Sequence, residues 1–562
     1  MDESVTTRAG GAVVYDALVD AGIEVLVGLP GTQTLPLDRV VAERTEMQYV
    51  MARHETAIPH IAWGYYETSG VPAATLTVPG PGETNAMHGL KNALEDCVPI
   101  IHVSADVPAS ARGKRPIHEI EPETYDTVVK ENISITTPFD VEAAVKRGIE
   151  TALTPPTGPV RLGIASDVLG ANVPAIQAEL TPGQEQRENE EAYTAAIELL
   201  TTASRPVIYA GGGVRRANGG AGGLRELVDR LDVPVVTSYK GKGTFPEDDP
   251  RWLGATGSHL PAGGKAVLDA ADVVLAVGTD FDGVTTNSWS LPMGEQLVHV
   301  NLDPATFDRA YESDLAIVDD AGVALRTLVD GIDDTGACDS WDGARLGTAV
   351  REEYDRRLES IGSLDEGPTL RTPGVLGSVR EVTPREAVVT TDIGGFRLWS
   401  IQAFEVYEQD DFVTAGSWAG MGVGLPAAIG AAVARDEPVV CLTGDGGLLM
   451  CIHELHTAAE YDLDITVVVS NNSDYGIISK SPEIRDYTGE HEFVWDSPSY
   501  VDIASGFGWA GERVETRTEL EDAVERALAR DGPTLIDAIV DTTEPSPVEA
   551  ADFETNVDVR GT

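Results

Sequence analysis

LTGDGGLLM, residues 442–450, sets one aspartate among glycines directly after the apolar run PVVCL. A short apolar strand that runs into a glycine turn and then a helix is the building unit of an open parallel α/β sheet, and ligands bind at such carboxyl ends of strands. Asp445 therefore stands where a ligand would be held. A second apolar strand, ITVVVS (465–470), ends in Asn471, Asn472, Ser473 and Asp474, so two strand ends can deliver oxygen donors to one ion. Magnesium takes hard oxygen ligands in an octahedron and is held through a carboxylate or two plus substrate phosphates. Gly444, Gly446 and Gly447 would let backbone approach those phosphates. GDGG alone reads as a tight turn, and Asn-Asn alone as another. The weight lies in their separation, with Asp445 and Asn472 27 positions apart.

Outward from this stretch the same grammar repeats. The fold class is α/β, with three doubly wound parallel-sheet domains expected from three blocks of glycine-terminated apolar runs. Residues 1–170 hold IEVLVGLPG, AATLTVPGPG, VPIIHVSA and GPVRLGIASDV. The polar stretch LTPGQEQRENEEA (180–192) reads as a linker. Residues 190–340 hold RPVIYAGGG, VPVVTSYKG, ADVVLAVGT and LVHVNLDP, followed by an irregular segment from DDTGACDSWDG to EGPTLRTPG. Residues 365–545 hold EAVVTTDIGG, DFVTAGS, PVVCLTGDGG, ITVVVSNN and PTLIDAIV, and 546–562 reads as a mobile or loosely docked tail.

Composition narrows the class. A chain of 562 residues fits three or four domains of roughly 150 residues each. No apolar run approaches the roughly 18 residues of a membrane helix, and MDESVTTRAGG has no basic or apolar leader, so the cytoplasm is the expected location. Cys97, Cys338, Cys441 and Cys451 form no CxxC pair and read as small hydrophobes. The formal net charge of -52 is spread along the whole chain and includes only eight lysines. It argues against nucleic acid as a partner and for a salt-loving host, in which molar salt screens the self-repulsion.

The GDG and NN pair resembles the signature of thiamine diphosphate-dependent enzymes. The resemblance implies that Asp445, Asn472 and the backbone oxygen of Asp474 hold magnesium. ARHETAIPHIAWGYYETSG (52–70) resembles the same family's RHE-x-x-A segment and puts Glu55 in place of the glutamate that hydrogen-bonds the aminopyrimidine and promotes deprotonation of the cofactor's C2. Alone, Glu55 would read as a helix-surface acid. VGLPGT (27–32), VPGPGETNAMHGLKNAL (78–94) and PPTGPVRLGIASDV (155–168) are similar to the pyrimidine-binding domain of the acetolactate synthase group. TFPEDDPRWLG (244–254), ADVVLAVGTDFD (271–282) and VHVNLDPA (298–305) look like its central domain, and VTTDIG (389–394) and AGMGVGLPAAIGAA (419–432) like its diphosphate-binding domain. The resemblance implies cofactor contacts from Pro30, Gly31, Asn85, Gly394, Gly420, Met421, Gly444, Gly446, Gly447, Tyr475 and Gly476, with Met421 as the wedge that bends the cofactor. It also implies a homodimer or tetramer with active sites at the subunit interface, and leaves room for a regulatory subunit.

The pattern departs in places. Biosynthetic acetolactate synthases carry FAD on the central domain, helped by an arginine in a GxRFDD segment, whereas this chain reads Gly278, Thr279, Asp280, Phe281, Asp282. An acid facing a diphosphate is repulsive, which puts FAD in doubt, and the Gly211–Gly213 turn lacks a full GxGxxG. Ile117, His118 and Glu119 replace the family's Phe-Gln-Glu, and His118 is a candidate proton relay. Gly394, Gly395 and Phe396 replace its Gly-Gln-His, and Ile477, Ile478, Ser479 and Lys480 replace the arginine and tryptophan after its NN loop. Lys130 matches a family lysine that would attract a substrate carboxylate. His453, Glu454 and His456 lack HExxH spacing and read as helix surface.

The expected reaction is thiamine diphosphate- and magnesium-dependent decarboxylation of a 2-oxo acid, with pyruvate the first choice and transfer of the carbanion to a second carbonyl. A non-ligating decarboxylase or a carboligase for another 2-oxo acid is the alternative; a nucleotide-binding module without catalysis is the rival from another class. The charge yields a direct test: thermal melting followed by circular dichroism should show a cooperative transition in molar KCl that is lost below about 1 M.

Overall fold

The computed structural model describes residues 7–174, 189–332, 341–360, 370–481, 484, 493–542 and 544–559. Most of the expected linker (180–188), the start of the expected irregular segment (333–340, with Cys338) and residues 361–369 lie outside the described residues.

Three six-stranded parallel sheets carry the chain. In spatial order the first runs Gln48–Met51, Val25–Gly28, Ala73–Thr77, Ile100–Asp106, Val160–Ala165, Glu131–Ile135. The second runs Trp252–Ala255, Val235–Thr237, Pro206–Ala210, Val273–Val277, Gln296–Asn301, Leu315–Val318. The third runs Phe412–Val413, Val388–Thr391, Val439–Gly444, Ile465–Asn471, Thr534–Ile539, Ala510–Val514. Central strands such as VVCL and ITVVV are buried end to end because helices cover both faces of a parallel sheet. The segment expected to be irregular between the second and third blocks contains an 18-residue helix, Gly343–Ser360. Leu346, Val350, Tyr354 and Leu358, spaced four apart, form its buried apolar stripe, and its second half is otherwise mostly charged.

The first and third domains meet through helices Ala57–Ser69 and Gly424–Ala434. These cross backbone to backbone: a Cβ on Gly64 would lie 2.6 Å from Ala427 Cα, and one on Gly430 2.5 Å from Tyr65 N. Glu454 fixes the approach to the first helix. It is fully buried and accepts the amides of Arg53 and His54, each at 3.0 Å. The reading of Glu454 as helix surface is thus corrected, while His456 is exposed as expected: the carboxylate fastens two domains, at a distance that no local pattern encodes.

A second junction takes in all three domains. Buried Glu67 meets Arg216 at 2.7 Å, Lys240 at 3.2 Å and Arg215 at 3.3 Å. Lys240 also donates to Asp96 at 3.0 Å and to the Thr414 carbonyl at 2.9 Å, and Arg215 donates to the Phe412 carbonyl at 2.6 Å. Burial alone would raise the Glu67 carboxyl, but Lys240, Arg215 and Arg216 hold it well below the usual carboxylate range.

The tail is more firmly placed than its composition suggested. Ser546 and Glu549 form a capping box for helix Pro547–Ala551, Ala550 and Ala551 are buried, and Thr555 Oγ1 and Asn556 N donate to Glu353.

The domain crossing is tested by paired glycine substitutions. Gly64→Ala should lower stability in denaturant unfolding by about 1–3 kcal/mol through overpacking. Gly222→Ala, in a helix with nothing within 4 Å of the added carbon, should be neutral or stabilising by up to about 1 kcal/mol.

Candidate active site

Strands Val439–Gly444 and Ile465–Asn471 are parallel neighbours in register, with Gly444 opposite Ser470. The GDGG turn and the NN turn therefore leave the sheet side by side. Asp445 opens helix Asp445–Cys451 and is only 2% exposed. Its Oδ1 accepts the Gly446 amide at 3.0 Å, whereas its Oδ2 is buried with no partner among the described residues. Burial, reinforced by the nearby charge of Asp537, pushes its carboxyl up to about 7. A buried carboxylate oxygen without a donor is costly unless a cation meets it, so the residue suits a metal ligand.

The two asparagines divide their work. Asn471 is fixed structurally: its Nδ2 donates to Asp537 at 2.8 Å and its Oδ1 accepts the Ser473 amide at 3.2 Å. Half-buried Asn472 accepts the Asp474 amide at 3.2 Å. Ser473 takes φ 55°, which turns the chain back at this point. The Asp474 carboxylate is engaged by the Ser479 hydroxyl, so its backbone carbonyl is the group suited to an ion.

Glycines shape the surroundings. Cβ atoms on Gly394 or Gly444 would meet nothing within 4 Å, so both face open space beside Asp445 and the 394–395 turn. Gly394 has φ 145°, a conformation that a side chain would strain. Gly446 passes under the Tyr475 ring, where a Cβ would lie 2.6 Å from Cε1. The Tyr475 ring in turn packs on Trp495 with centroids 4.9 Å apart. A Cβ on Gly447 would come within 2.9 Å of Asp392 Cγ, and one on Gly476 within 2.8 Å of Asn472 Nδ2. Ile477 lies over Gly395.

Asp392 is a site-forming residue that the sequence reading did not single out. Its carboxylate accepts the amides of Ile393 at 2.6 Å, Gly422 at 2.9 Å and Gly424 at 3.1 Å, which fixes the turn that carries Gly420 and Met421. Its place at the end of strand Val388–Thr391, just before Gly394 and Gly395, was the available signal. Gly420 packs against the His88 ring, and His88 accepts from Trp418 Nε1 at 3.0 Å. Met421 is half-buried and lines a cavity of about 370 Å³ with Thr56, His88, Met450 and His453.

The other candidates gather at the first sheet. Half-buried Glu55 accepts Asn85 Nδ2 at 3.1 Å, and a Cβ on Gly82 would lie 3.2 Å from Glu55 Oε1. Gly31, next to exposed Pro30, packs on Val78, and its amide donates to Thr34 Oγ1 at 2.8 Å. His118 takes φ 66° with its Nδ1 3.1 Å from Gln33 Nε2, and its carbonyl lies 2.6 Å from where a Gly80 Cβ would be. Among the described residues, no hydrogen bond of Glu55, Asn85 or His118 reaches Asp445 or Asn472. Lys130 is a correction: its Nζ donates to the carbonyls of Thr151 at 2.7 Å and Thr154 at 2.6 Å. It closes the end of helix Val141–Leu153 instead of facing a substrate. Cys441 and Cys451 are buried thiols pushed up by burial, and Cys97 is half-buried.

Comparison with known proteins agrees with this geometry. Thiamine pyrophosphate enzyme profiles match in chain order: the N-terminal TPP binding domain over residues 8–127, the central domain over 193–328 and the C-terminal TPP binding domain over 392–538. The acetolactate synthase large subunit of Parasynechococcus marenigrum is 30% identical over 557 residues, spanning 95% of this chain and 88% of the relative. The probable acetolactate synthase large subunit of Methanocaldococcus jannaschii is 28% identical over 96% of this chain and 93% of its own length. Acetolactate synthase isozyme 1 large subunit of Escherichia coli is 27% identical over 95% and 94%. With three sheets in the family's order and a relative of this similarity along nearly its whole length, the chain belongs to the thiamine pyrophosphate enzymes, in the company of acetolactate synthase large subunits.

Proposed function

We propose that this enzyme decarboxylates a 2-oxo acid, with pyruvate as donor, and joins the two-carbon fragment to a second carbonyl in an acetolactate synthase-like reaction assisted by magnesium. The observation that carries the magnesium-bound cofactor is the buried Asp445 Oδ2, without a partner among the described residues, at the strand end next to the one that leads into Asn472, with open space at Gly444 and at Gly394. Bound thiamine diphosphate would supply a carbon nucleophile and an electron sink, which no side chain offers. Asp445, the Asn472 side-chain oxygen and the Asp474 carbonyl would hold the ion, and the glycine-lined space would take the diphosphate oxygens. Glu55, held by Asn85, would share a proton with the pyrimidine N1 atom.

The site is completed by a second copy of the chain. Trp418, Leu449, Met450, Ile477 and Ile478 are each 38–49% exposed on the segments that surround the glycines, which supports burial against a partner subunit. The relatives' designation as large subunits supports a smaller regulatory polypeptide as a further partner.

Three outcomes are expected. Incubated with pyruvate, thiamine diphosphate and Mg2+ in molar KCl, the protein should yield acetolactate; acetaldehyde alone would refute ligation. Glu55→Gln should lower turnover about 10²- to 10⁴-fold while leaving the melting temperature in place. For Asp445, a carboxyl raised to about 7 favours the protonated form, so the metal-free chain should lose stability as pH rises from the unfolded value near 4 through 7. Mg2+ should therefore raise the melting temperature more at pH 8 than at pH 5.5, and Asp445→Asn should erase that difference. An equal Mg2+ effect at both pH values would remove Asp445 from the metal site.

A further inference from the structure

The central domain opens a cleft of about 450 Å³ at the carboxyl end of its sheet, beside the Gly211–Gly213 turn. This is where the resemblance to biosynthetic acetolactate synthases would place a flavin dinucleotide, whose diphosphate needs free amides and free cations. Two of the three turn amides are already used: Gly211 N donates to the Val277 carbonyl and Gly213 N to the Gly278 carbonyl, each at 2.8 Å. Gly211 also packs directly on Gly278, with its would-be Cβ 2.7 Å from Gly278 C.

Two of the three cations are committed as well. Seven acidic and three basic side chains line the cleft. Of the basic three, Arg216 is bound to Glu67, and Lys240 to Glu67 and Asp96. Arg309 stands exposed on the rim. The acids, in contrast, are held in place by backbone. Asp282 accepts the amides of Val284 at 2.7 Å and Thr285 at 3.1 Å, and Asp320 caps helix Ala321–Gly331 through the Gly322 amide at 2.9 Å. Asp280 is exposed at the position where the family's arginine would stand.

We infer that this cleft rejects dinucleotide and nucleoside diphosphates, so that the enzyme acts without flavin, because acids outnumber cations in its lining and the Glu67 and Asp96 junction occupies two of its three cations. A diphosphate entering here meets seven carboxylates, two cations already paired with Glu67 and Asp96, and one more, Arg309, exposed to solvent.

The test is a binding measurement on the full chain with Mg2+ and thiamine diphosphate present. FAD and, separately, ADP are titrated in molar KCl and again at the lowest KCl at which the protein remains folded, where any electrostatic attraction is screened least. Flavin fluorescence and equilibrium dialysis should show no saturable binding into the millimolar range. Heat-denatured protein from a flavin-replete host should release no flavin. Saturable binding of either ligand at one per chain, or stoichiometric flavin release, overturns the inference. Because the readout is binding, a lack of turnover would count against the proposed reaction and not against this conclusion.

Discussion

The joint between the first and third domains rests on one contact, the crossing of helices Ala57–Ser69 and Gly424–Ala434 at Gly64 and Gly430. Helices cover the faces of both parallel sheets, so these two domains meet helix to helix, and glycine allows the backbones to touch. That approach delivers the Arg53–Glu55 segment to the carboxylate of Glu454 and so fixes where Glu55 lies. The Asp445 turn is set independently, by the register of Val439–Gly444 against Ile465–Asn471. One constraint thus places the Glu55 carboxylate and the other places that of Asp445.

Much of this architecture was legible in the sequence, with a clear physical limit. The strands that the apolar runs failed to reveal are sheet edges: Gln48–Met51, Glu131–Ile135, Leu315–Val318 and Ala510–Val514, each only partly buried, together with Trp252–Ala255. Edge strands in these sheets face solvent or a single neighbour and lack the continuous apolar signature of central ones. Trp252–Ala255 is buried, but its four residues follow a proline- and acid-rich stretch that reads as loop.

The site divides in the same way. That Asp445 and Asn472 stand at neighbouring strand ends could be read because two apolar runs each give way to a turn, while their reading as metal ligands came with the resemblance. Glu55 carried no local signal and depended on resemblance, since a carboxylate before a helix is ordinarily a surface residue. The Glu67, Asp96, Lys240 and Arg215 junction was invisible, because its partners are scattered over more than three hundred positions and obey no period. Buried ion pairs of this kind add little net stability over apolar packing, yet deleting one member leaves a charge stranded. Their effect here is positional: they hold three domains around a fixed centre.

The docked tail has a practical corollary for handling the molecule. Phe553 and Val557 pack against the two cores that include central-domain residues, while Thr555 and Asn556 hold the Glu353 carboxylate of helix Gly343–Ser360. A purification handle or reporter fused close behind this segment would pull directly on that domain. An engineered attachment is better placed behind a spacer long enough to relieve the tension.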